Sequence, residues 1–236
     1  MSSRALVLVH DPAKSRRDRI PGALIPAFAR RDIDHHIFSF VCARGSAPAP
    51  DISAYDLLVV MGSHESADDP RVPWLAHELA FVTKAVERGT PTIGICFGGQ
   101  LLARALHGEV TRADFPERGF TVVKSDDPDL IPQGFWMQLH ADSFIVPPGA
   151  TELARNASGS QAFVAANALG LQFHPEITVD SFESWVERWV ESGGLPRVGD
   201  GGLDPDALRR EIAQHEQDSV RACDQLVDTF CTRYMR

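Results

Sequence analysis

The sequence has few cysteines, no strongly basic segment and no long apolar run, and each shortage excludes a class of protein. The four cysteines, at positions 42, 96, 223 and 231, have neither the spacing of a disulfide framework nor that of a metal site. A net charge of −9 without a basic cluster argues against nucleic acid and anionic membranes as partners. No apolar stretch approaches transmembrane length, and Ala5–Val9 is too short for a signal peptide. We therefore expect a cytoplasmic protein.

The chain does have the composition of one α/β domain. Its 236 residues, 44% of them hydrophobic and 23% charged, are enough for one domain with a sizeable core. Apolar runs predict strands and intervening helices: strands at Ala5–Val9, Ile37–Val41, Leu57–Met61 and Pro91–Ile95, and helices over Gly22–Arg31 and from Pro73. Such alternation favours a doubly wound, mostly parallel sheet flanked by helices, in which ligands bind beyond the carboxyl ends of the strands.

After Gly108 the pattern changes to shorter extended segments, which predict a small mixed or antiparallel portion added to the parallel core. The predicted segments are Phe120–Lys124, Phe135–His140, Gln161–Ala165 and Leu169–Phe173.

The last part of the chain predicts two helices. Aromatic and aliphatic residues at helical spacing indicate an amphipathic helix over Phe182–Trp189, capped near Asp180 and ended by Gly193-Gly194. A loop over 196–202 then leads to a long helix that Pro205 opens. We expect residues 1–192 to form one domain and residues 193–236 to be a loop and a helix packed on it. A contact in a homo-oligomer is the alternative role for that helix.

The segment Thr92–Ala103 is the most informative part of the sequence. Gly94-x-Cys96-x-Gly98 is the thiol form of a nucleophile elbow, in which the nucleophile lies on a strained turn between a strand and a helix. Cys96 would then lie at a helix N-terminus, where free N–H groups and the macrodipole favour the thiolate. A small buried cysteine in an ordinary strand-to-helix turn is the alternative.

His174-Pro175-Glu176 supplies the groups that such a thiol needs. Pro175 biases His174 toward extended geometry, in which residues i and i+2 project to the same side. The Glu176 carboxylate can therefore reach one imidazole nitrogen while the other nitrogen faces a nucleophile. The alternative is a His-Pro turn with a solvated glutamate, which is the weaker interpretation because the elbow is also present.

Together these segments resemble the class I (triad-type) glutamine amidotransferases, whose elbow has the form Gly-x-Cys-x-Gly-x-Gln and is followed by His-x-Glu. The resemblance runs from about Tyr55 to Ile177 and includes Gln138–Asp142, which is similar to the family's His-Gly-Asp segment beside the substrate. It is nearest to the glutaminase part of GMP synthase and to stand-alone relatives, including γ-glutamyl peptidases. The fold it implies is flavodoxin-like.

This resemblance implies the catalytic roles. Cys96 would be the nucleophile, and His174 would be the general base and then the general acid. Glu176 would orient the imidazole. The backbone N–H groups of Gly62 and Phe97 would form the oxyanion hole.

The resemblance also implies a substrate, L-glutamine, and the groups that hold it. Gln100 and the backbone around Leu139 and His140 would bind the α-amino and carboxylate groups. Asp142 is a further candidate for the ammonium end, and a structural role in a turn is equally open for it. The implied reaction is hydrolysis of the side-chain amide through a cysteine thioester, without a metal or an organic cofactor.

The ammonia would go to an acceptor enzyme. The sequence contains no Walker A motif, no Ser-Gly-Gly-x-Asp-like pyrophosphatase loop and no dinucleotide fingerprint. The resemblance therefore implies that the partner is a separate synthetase subunit.

Two positions depart from the family's pattern. Where many members have Gly-Gly-Pro or a similar run of small residues, this chain has Gly62-Ser63-His64-Glu65, which places larger polar side chains beside the oxyanion hole. Ala141 replaces the usual glycine of His-Gly-Asp, which narrows the backbone conformations available there.

Two other functions are open at this point. A γ-glutamyl peptide or conjugate hydrolase would use the same triad and differ on the leaving-group side, for which His64, Glu65 and an expected loop over Arg112–Arg118 are the candidates. A non-catalytic regulatory subunit on the same fold would have lost a triad member, and all three are present.

Overall fold

Strands of the chain alternate with helices in the computed structural model, which describes residues 2–43, 48–195 and 202–235. The described residues form nine strands: β1 (Ser3–Leu8), β2 (Ile33–Phe38), β3 (Leu57–Val60), β4 (Thr92–Ile95), β5 (Val110–Ser125), β6 (Gly134–Phe144), β7 (Thr151–Asn156), β8 (Gly159–Ala165) and β9 (Ala168–Leu171). They also form seven α-helices: α1 (Lys14–Arg17), α2 (Leu24–Ala29), α3 (Phe40–Ala43), α4 (Leu75–Glu87), α5 (Phe97–Ala105), α6 (Val179–Ser192) and α7 (Pro205–Tyr234).

All nine strands pair into one sheet of order β2-β1-β3-β4-β9-β8-β7-β5-β6. The first five strands in this order are parallel, and the remaining pairs are antiparallel. This arrangement confirms the predicted parallel α/β core with an added antiparallel portion. The carboxyl ends of β1, β3, β4 and β9 meet at one edge, where ligands bind in sheets of this kind.

The sheet is covered on both faces, because alternate residues of its strands enter two different apolar clusters. Ala5 and Val7 of β1 pack in a cluster to which α2 and α7 contribute, whereas Leu6 and Leu8 pack in a cluster with α4 and α5. The β1 residues in both clusters are fully buried. This explains why the parallel strands are continuous apolar runs in the sequence.

The predicted strand Ile37–Val41 is wrong in its bounds. The strand is β2, which begins at Ile33, and a short helix starts at Phe40. Asp34, His35 and His36 are exposed because β2 lies at the edge of the sheet and pairs only with β1. Because these residues are polar, the sequence pattern did not predict a strand here, and the strand depends on its pairing with β1.

The antiparallel portion is larger than predicted. The segments Phe120–Lys124 and Phe135–His140 are parts of one long hairpin formed by β5 and β6, and β7 was not predicted. Arg112–Arg118 is not a loop, because it belongs to β5, where an irregularity shifts the register between Arg112 and Glu117.

The predicted helix over Phe182–Trp189 is α6, and its cap lies close to the predicted position. Thr178 caps the helix in a capping box with Ser181, and Gly193 ends it in the left-handed conformation. Asp180 lies in the first turn of α6, and its carboxylate accepts a hydrogen bond from Arg19.

The final helix begins as predicted. Asp204 caps α7 and Pro205 is its first residue. Residues 196–201 of the predicted loop lie outside the described residues. Across the described ranges, no helix combines the length and the apolar character that crossing a membrane requires.

Candidate active site

Cys96 lies on a strained turn between β4 and α5. Its backbone has φ 52° and ψ −108°, a conformation that residues other than glycine rarely adopt. The turn needs glycine on both sides. A Cβ at Gly98 would lie 2.0 Å from the carbonyl oxygen of Val60, and a Cβ at Gly94 would lie 2.3 Å from that of Gly98. The local sequence therefore forms the predicted elbow, with the cysteine as the residue before the helix.

His174 and Glu176 form a buried pair beyond the end of β9. Nδ1 of His174 lies 2.8 Å from Oε1 of Glu176, and both side chains are almost fully buried. The strand β9 ends at Leu171 and not at Phe173 as predicted, and Glu176 lies in a turn. The His174 N–H donates a hydrogen bond of 2.9 Å to the Met137 carbonyl, which holds this segment against β6.

The other nitrogen of His174 is available for chemistry. Nε2 is buried and has no hydrogen-bond partner among the described residues. Burial alone would lower the pKa of His174, but the charge of Glu176 and the interaction with Cys96 outweigh it and raise this pKa to about 10. At neutral pH the imidazole therefore carries a proton next to the thiol group.

Gly62 is the residue that lies against both groups. A Cβ on Gly62 would lie 3.1 Å from Cε1 of His174 and 4.0 Å from Cβ of Cys96. The Gly62 N–H has no acceptor in the part of the chain that the structure describes. The Phe97 N–H opens α5, where a helix has no acceptors for its first N–H groups. Both predicted oxyanion donors thus lie next to Cys96.

Gln172 is a neighbour of Cys96 that the sequence did not reveal. Its amide nitrogen lies 3.8 Å from the Cys96 sulfur, and its amide oxygen accepts a hydrogen bond of 3.4 Å from Gln100. Both amides are buried. Gln172 is adjacent to Phe173-His174 in the sequence, so its place in the motif was the available signal.

The predicted substrate residues are brought to the same cavity. The Leu139 carbonyl lies 3.9 Å from the Cys96 sulfur, and Gln100 donates to the backbone carbonyl of Asp142 at 2.8 Å. The Asp142 carboxylate accepts a hydrogen bond from Ser66 at 2.7 Å. The amide nitrogen of Gln100 is therefore already bonded within the protein.

His140 lines the cavity and belongs to a buried polar network. Its Nε2 lies 3.2 Å from Glu117, which also accepts hydrogen bonds from Asn156 and Gln161. Burial would raise the pKa of Glu117, but the hydrogen bond and charge of His140 bring it below its ordinary value. This network supports the β6 backbone at Leu139. Glu117 gave no sequence signal, because it lies in the segment predicted to be a loop.

A cavity of about 410 Å³ opens over Cys96. One side is formed by Gln100, Leu139 and Asp142, and the other side by residues of α6. On the α6 side, Trp185 packs edge-on against His174 with ring centroids 4.8 Å apart. The volume of the cavity is in the range of sites that bind small molecules.

Ser63, His64 and Glu65, which depart from the family's pattern, line the same cavity. The indole N–H of Trp189 donates to Nδ1 of His64 at 3.1 Å. Burial, aided by the nearby charge of Arg188, lowers the pKa of His64 to about 4. His64 is therefore a neutral acceptor at physiological pH.

Comparison of the sequence with protein families agrees with this geometry. A family model described as glutamine amidotransferase class-I matches residues 27–190, which is more than half of the chain. The match includes β3, the elbow and the His174 segment.

Curated relatives are named as GMP synthases. The chain is 34% identical over 141 residues to the glutamine-hydrolysing GMP synthase of Aeropyrum pernix, a match that covers 55% of this chain and 27% of that protein. It is 30% identical over 139 residues to one subunit of the glutamine-hydrolysing GMP synthase of Saccharolobus solfataricus, covering 55% of this chain and 72% of that one. The chain thus spans about a quarter of the length of the Aeropyrum protein.

Solved structures share the fold over almost the whole chain. A glutamine amidotransferase from Thermotoga maritima has a TM-score of 0.82 at 23% identity and covers 98% of both chains. A second one, from Methylobacillus flagellatus, has the same TM-score and identity and covers all of this chain and 96% of its own. These likenesses confirm the fold that the sequence resemblance implied.

Proposed function

Because the chain belongs to the class I glutamine amidotransferase family, we propose that it hydrolyses the side-chain amide of L-glutamine through a thioester on Cys96. One observation carries this proposal. The His174 imidazole is held by Glu176 on one nitrogen, and its other nitrogen is unpartnered in the described structure and faces the cavity over a cysteine on a strained elbow. A buried core histidine would instead have both nitrogens satisfied.

In the first step the Cys96 thiolate attacks the side-chain carbonyl carbon of glutamine. The negative charge that develops on the carbonyl oxygen is stabilised by the N–H groups of Gly62 and Phe97. A donor of this kind contributes about 3 kcal/mol to the stabilisation of the transition state. Gly62 lies against both His174 and Cys96, which supports its assignment as a donor.

In the next steps His174 acts first as an acid and then as a base. Its imidazolium gives a proton to the departing nitrogen, so that the C–N bond breaks, ammonia leaves and a γ-glutamyl thioester remains. Neutral His174 then takes a proton from water, and the resulting hydroxide attacks the thioester, so that the C–S bond breaks and glutamate is released. The imidazole has thereby regained its proton and Cys96 has left as the thiolate, so the enzyme ends in its initial state. Glu176 holds the ring in place throughout.

The α-amino and α-carboxylate groups of glutamine lie on the Gln100 side of the cavity in this proposal. Asp142 offers a carboxylate for the ammonium group. Arg112, whose guanidinium lies 3.4 Å from Asp142, offers a cation for the α-carboxylate. Gln100 contributes through its carbonyl oxygen, since its amide nitrogen is bonded to the protein.

The ammonia is consumed by an acceptor enzyme. The relative from Saccharolobus solfataricus is named as one subunit of GMP synthase, and this supports a partner of this chain that is a separate synthetase subunit. Which acceptor the ammonia reaches is a property of that partner.

A γ-glutamyl peptide or conjugate hydrolase is the second candidate, and the α6 side of the cavity favours it. Ammonia does not need the space that Asp11, Trp185 and Arg188 line. Arg188 places a cation there, which suits a leaving amine that carries a carboxylate, such as an amino acid.

Glutamate release by the isolated protein tests both candidates. L-glutamine and a γ-glutamyl dipeptide are compared at equal concentration, with Cys96→Ala and with Cys42→Ala as matched control, since Cys42 is an exposed cysteine outside the cavity. We expect release from glutamine that is lost in Cys96→Ala and kept in Cys42→Ala. A higher kcat/KM for the dipeptide supports the second candidate. Release that persists in Cys96→Ala contradicts both.

A further inference from the structure

A buried histidine, His10, contacts the backbone of Gly62 at the margin of the cavity. His10 follows β1, and its Nδ1 lies 2.8 Å from the carbonyl oxygen of Gly62, which follows the neighbouring strand β3. Its Nε2 lies 2.8 Å from Oε1 of Glu78 in the first turn of α4. The side chains of His10 and Glu78 are 1% and 0% exposed.

Two aromatic rings fix the orientation of this imidazole. Trp74 stacks on it with ring centroids 5.0 Å apart, and Phe97 packs edge-on at 4.7 Å. Phe97 is also the first residue of α5 and a proposed oxyanion donor. The ring of His10 therefore touches both sides of the proposed oxyanion hole.

The hydrogen-bond partners determine where the protons lie. A carbonyl oxygen and a carboxylate are both acceptors, so both bonds form when both imidazole nitrogens carry hydrogen. Burial would lower the pKa of His10, but the charge and hydrogen bond of Glu78 raise it above the ordinary value. The other ionisable groups nearby do not oppose this charge, since His64 is neutral and Asp11 pairs with Arg16 at 2.9 Å.

The backbone on both sides of Gly62 is thereby held. The Met61 N–H donates to the carbonyl of Leu8 at 3.0 Å, which fixes the backbone before Gly62. The carbonyl of Gly62 is fixed by His10. Glycine by itself has wide backbone freedom, and an oxyanion donor stabilises charge only when its direction is set in advance.

We propose that His10 and Glu78 are a positioning pair, which holds the Gly62 carbonyl so that the Gly62 N–H points at the oxyanion formed over Cys96. Both side chains are almost fully buried, and the pair acts through the backbone. This inference rests on the proposed function.

The test replaces the pair by apolar residues and separates two reactions of Cys96. His10→Phe with Glu78→Leu removes both polar partners together, which a buried site tolerates better than the loss of one. Hydrolysis of a γ-glutamyl substrate needs the oxyanion hole. Alkylation of Cys96 by iodoacetamide displaces iodide from a saturated carbon and forms no oxyanion. Mass spectrometry of the Cys96 peptide measures the alkylation rate, and exposed Cys42 is the internal control.

We expect kcat to fall about 10- to 100-fold, with KM and the alkylation rate within about 2-fold of wild type. Glu78→Gln alone should lower kcat less than the double substitution does. Its amide can donate to Nε2 of His10 while the Nδ1–H still reaches the Gly62 carbonyl. A double variant that keeps its kcat overturns the inference, and so does one that loses hydrolysis and alkylation in parallel. Wild-type protein that alkylates at Cys96 but cleaves no γ-glutamyl substrate speaks instead against the proposed function.

A second measurement uses wild-type protein and does not require that the double variant folds. Nitrogen NMR of wild-type protein with labelled histidine, assigned through Glu78→Gln, shows a proton on Nδ1 of His10 near neutral pH if the inference holds. An Nδ1 without a proton overturns it.

Discussion

His174 owes its chemistry to two neighbouring groups that act on one buried ring. The Glu176 carboxylate lies 2.8 Å from one nitrogen, and Cys96 is the other group that raises the pKa of the ring. Because both groups favour the imidazolium, His174 carries its proton at neutral pH. The charge of this one ring therefore determines how activity depends on pH.

Glu176→Gln should move the alkaline limb of the pH profile to lower pH. Activity is lost when His174 gives up its proton, near its pKa of about 10 in the wild type. Removing the carboxylate charge lowers this pKa, by about one pH unit or more. The measurement is kcat/KM for the γ-glutamyl substrate from about pH 6 to about pH 11.

The matched control for this prediction is Glu87→Gln, because Glu87 is an exposed carboxylate at the far end of α4. Its alkaline limb should coincide with that of the wild type. An unchanged or raised limb in Glu176→Gln would show that the carboxylate does not set the charge of His174.

At this scale the sequence predicted the residues whose neighbours in the chain carry the signal. Cys96 is marked by the glycines around it, and His174 by Glu176 two residues later. Gln172 and His10 were missed because their roles depend on contacts made by folding. His10 reaches Gly62 only because β1 and β3 are neighbours in the sheet.

The elbow is the element on which the site depends. Its turn passes so close to β3 that a single methyl group at Gly98 meets the Val60 carbonyl. We therefore expect Gly98→Ala to lower the free energy of unfolding by about 1–3 kcal/mol, measured by urea denaturation.

Gly194→Ala is the control for this substitution. A Cβ at Gly194 has no atom within 4 Å, and the change should alter stability by no more than about 0.5 kcal/mol. Equal stability of the two variants would contradict the close approach of the elbow to β3.

Elements were predictable where burial on both faces gives an apolar run, as in β1 and β3. Elements were not predictable where a polar segment forms a strand only because it pairs with a strand distant in the sequence. β2 and β7 are of this kind, since each has exposed polar residues and is defined by its partner strand. The strand β9 was predicted, but the turn at Glu176 after it was not.

On the scale of the whole molecule, the last helix, α7, packs against the sheet. Phe230 is fully buried in the cluster that contains β1 residues. Asp224 of α7 lies 2.8 Å from Arg30 and 2.9 Å from Arg31. These contacts support the proposal that residues 193–236 pack on the domain formed by residues 1–192.

Phe230→Ala tests this proposal. We expect a loss of about 3–5 kcal/mol in the free energy of unfolding, because the substitution leaves a cavity in the shared core. Tryptophan fluorescence is the appropriate probe, since all four tryptophans precede residue 193 and report on the first part of the chain.

The control is Phe115→Ala, because the Phe115 side chain is 66% exposed. It should change stability by no more than about 0.5 kcal/mol. If Phe230→Ala leaves the fluorescence transition unchanged, α7 does not share the core of the sheet.

The central claim is that Cys96 is a nucleophile in a site that recognises the γ-glutamyl group. A chloroketone analogue of glutamine tests it most directly, because the thiolate displaces chloride and the label stays on the residue that attacked. We predict one label, on Cys96, which L-glutamine or a γ-glutamyl dipeptide suppresses and Cys96→Ala abolishes. Labelling of exposed Cys42 alone, or labelling of Cys96 that neither ligand suppresses, would contradict it.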